Sequence, residues 1–203
     1  MLEVYKIIFG YISVAITLLS FVLYFYGIIK GQTKPHAFSW LIWTLLTGTI
    51  FIIQVLENGG AGAWSTGTTT ITTFIVAIMS FYVGDRHFTR FDWFALLGAL
   101  MGIGLWLVTK NPLLAVIIIT LTDGIGYLPS FRKGFYKPNE EIISMYLINN
   151  VRYVISLMAL SSYSLSVWLY PVALTFFNTV YSIFIFWRRK KLNQPRDANN
   201  ISH

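Results

Sequence analysis

The chain of 203 residues contains no cysteine, and only 11% of its residues are charged. Without cysteine, a disulfide scaffold, a cysteine nucleophile and thiolate metal sites are all excluded. A soluble globular domain has about 25% charged residues, so 8 acidic and 15 basic residues are too few to cover a water-exposed surface of this size. The scarcity of charge therefore excludes a soluble enzyme, a disordered chain and a nucleic-acid-binding module.

Sequence motifs of catalysis are also missing. The chain has no HExxH, GxSxG or P-loop pattern, and its three histidines (His36, His87 and His203) lie outside the apolar segments. A retinal protein needs a lysine in its last helix, and the last apolar segment has none before Lys190. We therefore expect no enzymatic activity, no cofactor and no metal site.

What the chain does contain is apolar sequence in long runs. Its residues are 56% hydrophobic, and its mean hydropathy is +0.64. A bilayer core of about 30 Å needs about 20 apolar residues per helix, and seven runs of that kind are present. They are Ile7–Ile29, Ala37–Leu56, Ala61–Gly84, Phe91–Thr109, Pro112–Phe131, Ile142–Leu160 and Trp168–Trp187. The sequence predicts an all-α membrane protein with seven transmembrane helices.

The basic residues predict the orientation of these spans. Twelve of the 15 lysines and arginines fall on one side when connections are assigned to alternate sides, whereas Lys6 and Lys110 fall on the other and Arg152 lies within a span. The twelve are Lys30, Lys34, Arg86, Arg90, Arg132, Lys133, Lys137, Arg188, Arg189, Lys190, Lys191 and Arg196. Because cytoplasmic connections are enriched in basic residues, we expect the N-terminus outside and the C-terminus in the cytoplasm. The expected location is the plasma membrane of a prokaryote, with the protein integral and multi-pass.

An internal repeat relates the two halves of the chain. A shift of 103 residues aligns five identical residues around the first and fifth spans. The aligned residues are Tyr24, Lys30, Gly31, Lys34 and Pro35 with Tyr127, Lys133, Gly134, Lys137 and Pro138. Since one span is left over as a linker, the two copies keep the same orientation in the membrane. The predicted units are residues 1–84, a linker helix in 85–110, residues 111–191, and a polar cytoplasmic tail in 192–203.

The predicted architecture is two parallel triple-helix bundles joined by a linker helix (3-1-3), with the N-terminus outside. This architecture resembles the SWEET and PQ-loop transporter superfamily, and the chain looks like a divergent branch of it. The bacterial nicotinamide riboside transporters resemble the same plan and remain an alternative. The resemblance implies a central site between the halves, lined by asparagines of the third and seventh helices. Asn178 occupies the place in the seventh helix, and the third helix offers Thr70, Thr72 and Thr73.

Two ionisable residues lie within the predicted spans, where a charge is costly and marks a candidate functional site. Asp123 and Arg152 are on consecutive spans at depths that differ by only about 3 Å. We expect an ion pair, either structural or coupled to function. Asn149 shares a helix face with Arg152 through its i, i+3 spacing.

Other polar and aromatic residues fall at similar depth. Asn178, Asn149 and the threonines of the third span are predicted to line one central site, and Trp43 and Tyr146 to stack on a ring of the solute. Each also has a structural interpretation. Threonines bond to carbonyls of their own helix, asparagine can join two helices, and aromatic residues form interfacial belts.

We expect a transporter or facilitator of a small polar solute, sugar-like or vitamin-like, that works by alternating access. The alternative is a seven-helix receptor or cargo-binding membrane protein without transport. The expected partners are the solute and the lipid bilayer, with no nucleic acid. A GxxxG pair, Gly98 and Gly102, predicts close helix packing within the chain, or a contact between copies in a homo-oligomer.

Overall fold

The computed structural model describes residues 2–87, 89–141 and 143–193. Within these ranges it is all-helical, and an isolated bridge between His36 and Asp85 is the one piece of β-structure. The eight α-helices are α1 (Leu2–Ile29), α2 (Ala37–Leu56), α3 (Trp64–Val83), α4 (Arg90–Thr109), α5 (Pro112–Ile125), α6 (Tyr127–Tyr136), α7 (Ile143–Met158) and α8 (Leu165–Asn193). Short 3-10 turns occupy Gly60–Ala63 and Pro138–Glu140. The predicted all-α class is confirmed.

Six helical segments are long and apolar enough to cross a membrane, with α5 and α6 forming one segment, Pro112–Tyr136. The remaining helix, α7, has 16 residues and is about 24 Å long at 1.5 Å per residue. Six to seven such helices are consistent with an integral, multi-pass membrane protein.

Several predicted boundaries differ from the structure. The fifth span is two helices that meet at Gly126, and the last span extends to Leu165–Asn193 with Pro171 inside it. Residues 192 and 193, predicted as part of the tail, therefore belong to α8. Residues 194–203 lie outside the described residues, as does Ile142, the predicted start of the sixth span.

Local capping explains where several helices begin. The Thr89 hydroxyl accepts from the backbone N–H of Asp92, while the Asp92 carboxylate accepts from the Thr89 backbone N–H at 2.8 Å, which forms a capping box for α4. Asn111 caps α5 by accepting from Leu113 N at 3.0 Å, and Pro112 occupies the first helical position. These short-range signals account for the agreement of the α5 start with the sequence prediction.

The helices contact one another in a regular order. Helix α3 packs closely against both α1 and α2, whose own described contact is made by the aromatic rings of Phe21 and Tyr24 with Trp40. In the second half, α8 packs in the same way against both α5 and α7, whose backbones do not contact each other in the described part of the chain. Helix α4 packs on α5 and α2, and the two halves meet through α1 with α7 and through α2 with α5 and α8.

The apolar core lies where α2, α5 and α8 meet. Its fully buried side chains include Ile50 and Ile53 of α2 and Val116 and Ile119 of α5. Gly98 and Gly102 of α4 face α5, because a Cβ at Gly98 would collide with the Thr122 side chain and one at Gly102 would lie 3.1 Å from Ile119 Cγ1. The GxxxG pair thus provides close packing within the chain.

The connections gather at two ends of the bundle. One end, called the basic end here, holds the connections 30–36, 84–89 and 137–141. Two of these are joined by the hydrogen bond from Ala37 N to Asp85 O, 2.8 Å long. The opposite end holds the connections 57–63, 110–111 and 159–164, and the bond from Ser161 N to Gly59 O joins two of those at 3.1 Å.

Candidate functional site

Arg152 of α7 is a buried cation with neutral surroundings. Its side chain is 5% exposed, and its Nη1 donates to Thr69 Oγ1 of α3 at 2.8 Å. Its guanidinium carbon lies 4.1 Å from the centroid of the Tyr153 ring. The Nε atom is buried and finds no acceptor among the described residues. A charged group in this environment is expensive, and here the guanidinium donates its hydrogen bond to a neutral hydroxyl.

Asp123 of α5 has a different partner from the one predicted. Its Oδ2 accepts from the Tyr170 hydroxyl of α8 at 2.8 Å. No nitrogen of Arg152 comes within 4.0 Å of the Asp123 carboxylate oxygens in this structure, where both residues are described. The physical reason is the helix order, because α8 lies between α5 and α7. The direct ion pair is therefore not formed, although both charges interact electrostatically with the Tyr153 and Tyr170 hydroxyls.

Asn178 of α8 is 3% exposed and accepts a hydrogen bond from the Tyr127 hydroxyl of α6 at 2.6 Å. This is the interhelical bond that the sequence offered as the alternative role for Asn178. The bond ties α8 to the start of α6, directly after the break at Gly126. In the sequence Tyr127 was noted as the repeat partner of Tyr24 and not as a site residue.

The predicted threonines mostly satisfy their own helix. The hydroxyl of Thr70 donates to Thr66 O at 3.0 Å, that of Thr72 to Thr68 O at 2.9 Å, and that of Thr73 to Thr70 O at 3.0 Å. The residue of α3 that reaches the buried cation is Thr69, which donates to Ser65 O at 2.8 Å and accepts from Arg152. Thr69 lay within the predicted threonine run but was not among the chosen site residues.

The aromatic residues form two clusters. In the first half, the Trp40 ring centroid lies 5.0 Å from that of Tyr24 and 5.0 Å from that of Trp43, which is 42% exposed. In the second half, the Tyr146 ring lies 4.6 Å from that of Tyr181. The ring contacts that we find among the described residues stay within one half each, so Trp43 and Tyr146 belong to two separate clusters.

The two asparagines of α7 differ in their bonding. Asn150 donates from Nδ2 to Thr179 Oγ1 of α8 at 2.9 Å, and its Oδ1 is buried without a donor among the described residues. Asn149 is partly buried and forms no side-chain hydrogen bond with the described part of the chain. As predicted from its spacing, it lies one turn from Arg152 on the same side of α7.

A further polar contact, not predicted from the sequence, involves Gln54 of α2, which is 0% exposed. Its Nε2 donates to Val167 O of α8 at 3.1 Å. Pro171, four residues further on, has no N–H to bond to that carbonyl. Gln54 therefore supplies the hydrogen bond that the proline removes. The signal in the sequence was a lone glutamine near the end of an apolar span.

The opposite end holds the two halves together through neutral groups and one carboxylate. Glu57 accepts from Ser166 at 3.2 Å and from Ser164 at 3.4 Å. Gly62 N donates to Ala159 O at 3.0 Å, and Ser156 Oγ donates to Gly62 O at 2.7 Å. These bonds join the connection 57–63, which precedes α3, to the end of α7, the turn after it and the start of α8.

The described residues contain no group of three or more histidine, aspartate or glutamate side chains that could hold a metal ion. The polar groups near mid-depth are instead hydrogen-bonding and electrostatic groups, with one cation, Arg152, and one carboxyl group, Asp123. Comparison with family models, with curated proteins and with solved structures finds no match for this chain.

Proposed function

We propose that the protein is a membrane transporter or facilitator of a small polar solute, built as two parallel triple-helix bundles joined by α4. The basic end lies in the cytoplasm and the N-terminus lies outside. The lysines and arginines in the connections at the basic end and in the helix ends beside them support this orientation. A sugar-like or vitamin-like solute remains the expectation.

The order of helix contacts supports the two-bundle arrangement. The repeat pairs α1 with α5, α2 with α7, and α3 with α8. In each set the third helix packs against the other two. If each helix is replaced by its repeat partner, the contact of α1 with α7 becomes a contact of α5 with α2. Both contacts are present in the structure. A two-fold relation along the membrane normal predicts this pairing.

The single observation that carries the proposal is the position of Arg152. This buried cation, at membrane depth, bonds from one half of the chain to Thr69 of the other half. Ionisable residues inside membrane spans face the bundle interior and mark solute or ion pathways. A charged group that bridges two halves at mid-depth is placed to contact a solute that passes between them.

The contacts at the opposite end fit a state that is closed to the outside. Transport by alternating access then requires the turn at Gly60–Ala63 to separate from the turn between α7 and α8, while the halves approach at the basic end. These outer contacts consist of a few hydrogen bonds of 2.7–3.4 Å and glycine packing. A bond between neutral groups contributes only about 0.5–1.5 kcal/mol and one to a charged group such as Glu57 about 1.5–3 kcal/mol, so the closure can be reversed.

The test uses purified protein in two steps. A thermal-shift screen against metabolites first identifies solutes that bind, because a ligand stabilises the state to which it binds. Flux of each hit into proteoliposomes is then compared with flux into protein-free liposomes. Saturable, protein-dependent flux supports the transporter. Saturable binding without flux for every hit contradicts it and favours the receptor.

A further inference from the structure

We propose that the solute carries an oxyanion, a carboxylate or phosphate group, which binds to the guanidinium of Arg152 with Asn149 as a second donor. The inference rests on the proposed function, since it names the chemical class of the transported solute. It adds a binding group and a charge requirement that the transporter proposal alone does not contain.

The first argument is charge balance. Arg152 is nearly sealed from solvent, its hydrogen-bond partner Thr69 is neutral, and its Nε has no acceptor among the described residues. The nearest candidate counterion by depth, Asp123, accepts instead from Tyr170, a residue of the helix that lies between α5 and α7. A buried charge is stable when it is paired and its hydrogen bonds are satisfied. The chain leaves that requirement open at Arg152.

The second argument is geometry. Arginine presents a planar set of donors that matches the oxygens of a carboxylate or phosphate group. One edge of the Arg152 guanidinium is used by Thr69, and the unbonded Nε lies on another. Asn149 lies one helical turn away and has a side-chain amide with no hydrogen-bond partner in the described chain. Two unused donor groups on the same side of α7 form a site for an oxyanion and not for a cation.

The third argument is the position of the Arg152–Thr69 bond. It joins α7 to α3, and hence one half of the chain to the other. An anion that takes the place of the Thr69 hydroxyl as acceptor binds more tightly and also removes a contact between the halves. The charge of the solute thereby becomes linked to the separation of the halves.

The experiment measures binding by thermal shift with matched probes. The anions are acetate, nicotinate and inorganic phosphate, and the neutral analogues are acetamide and nicotinamide. The wild-type protein is expected to be stabilised by at least one anion and less by its neutral analogue. Arg152→Gln is expected to weaken that anion's affinity by about 10- to 100-fold, the range for losing hydrogen bonds to a charged group. Arg152→Lys, which keeps the charge but loses the planar donors, is expected to fall between the two.

Thr69→Val is the matched control, because it removes the neutral partner of Arg152 and leaves the guanidinium in place. If Arg152 is only a structural link to Thr69, the valine variant behaves like Arg152→Gln. If Arg152 binds the anion, Thr69→Val keeps or strengthens the anion response, because the competing hydroxyl is gone, and Asn149→Ala weakens the response. All variants are first checked for a monodisperse elution profile, and Arg152→Lys replaces Arg152→Gln if the latter does not fold.

The proposal is overturned if no anion stabilises the wild-type protein, if neutral analogues stabilise it equally, or if a folded Arg152 variant keeps the full anion affinity. Flux assays separate this failure from failure of the proposed function. Saturable flux of neutral solutes with no anion binding overturns the oxyanion site and leaves the transporter standing. Anion binding that depends on Arg152, without flux of any anion, keeps the site and overturns transport.

Discussion

The packing of Gly62 makes a sharp prediction about the closure at the opposite end. A Cβ added at this position would collide with the Leu160 side chain and would lie 2.7 Å from the backbone oxygen of Ser156. The leucine can rotate, but the backbone oxygen belongs to α7 and cannot move without shifting the helix. Gly62→Ala is therefore expected to destabilise the contact between the halves by about 1–3 kcal/mol, the usual range for overpacking.

Gly104 of α4 is a matched control, because nothing lies within 4 Å of a Cβ placed there. Gly104→Ala is expected to leave stability unchanged or to raise it by about 0.5–1 kcal/mol, since alanine favours a helix. Both variants add one methyl group to a glycine in a helical segment. Their difference therefore reports the contact at Gly62 and not the loss of glycine as such.

The assay uses the absence of cysteine from the natural chain. Two cysteines introduced at Leu56 and Ser162, on the two sides of the closure, are spin-labelled, and their distance distribution is measured. A cost of about 1–3 kcal/mol changes the ratio of closed to separated forms by about 5- to 150-fold. Gly62→Ala is expected to add a population at longer distance. If its distances and unfolding midpoint match those of Gly104→Ala, the close packing at Gly62 does not control this end of the bundle.

Three further predictions concern polar groups. The double variant Asp123→Asn with Arg152→Met is expected to show little of the recovery that a direct ion pair would give, because the two side chains share no direct bond and are linked only through Tyr153 and Tyr170; strong recovery in the double variant would mean that they pair. Gln54→Leu is expected to cost about 0.5–1.5 kcal/mol, and adding Pro171→Ala is expected to restore part of it, since the new N–H can bond to the freed carbonyl; equal stability of both variants in denaturant unfolding contradicts this account. Hydrogen bonds from the backbone N–H and the ring of His87 lower the pKa of the Asp85 carboxyl. The small contribution of this carboxylate to the free energy of unfolding is therefore complete above pH 3.8 and is lost as the pH falls through the lowered pKa. The difference in Tm between wild-type and Asp85→Asn should therefore shrink from about pH 5 to about pH 3, and a constant difference refutes the assignment.

The parts of the fold that could be predicted from the sequence depend on local signals. Helix α2 spans Ala37–Leu56 as predicted. The apolar run is bounded by His36, which caps the helix, and by Asn58, Gly59 and Gly60, which do not favour a helix. The break at Gly126 was missed although Gly124 and Pro129 lie close to it, because a search for apolar runs joins the two helices into one span. The extension of α8 was missed because its added ends, 165–167 and 188–193, contain a serine and the basic run Arg188–Lys191, which a search for apolar runs leaves out.

A residue count along the chain predicts how deep a side chain lies in a span but not which neighbouring helix it faces. Counting residues places Asp123 near the middle of the apolar segment Pro112–Tyr136 and Arg152 near the middle of α7. Counting cannot show that α8 lies between them, because that order depends on contacts between helices far apart in the chain. The same limit explains why Thr70, Thr72 and Thr73 were chosen over Thr69, whose neighbours along α3 have the same composition.

The two kinds of contact between the halves have different consequences for a solute. At the opposite end the bonds are formed by backbone groups, serine hydroxyls and Glu57, and a solute at mid-depth does not reach them. At Arg152 the guanidinium donates to the Thr69 hydroxyl, although a guanidinium binds an anion more strongly than a neutral hydroxyl. A ligand shifts a conformational equilibrium only by its difference in affinity for the two states. An anionic solute gains that difference at Arg152, because it binds best where the Thr69 hydroxyl no longer competes, whereas a neutral solute gains little there. Selectivity for charge and coupling to the movement of the halves would then arise from the same side chain.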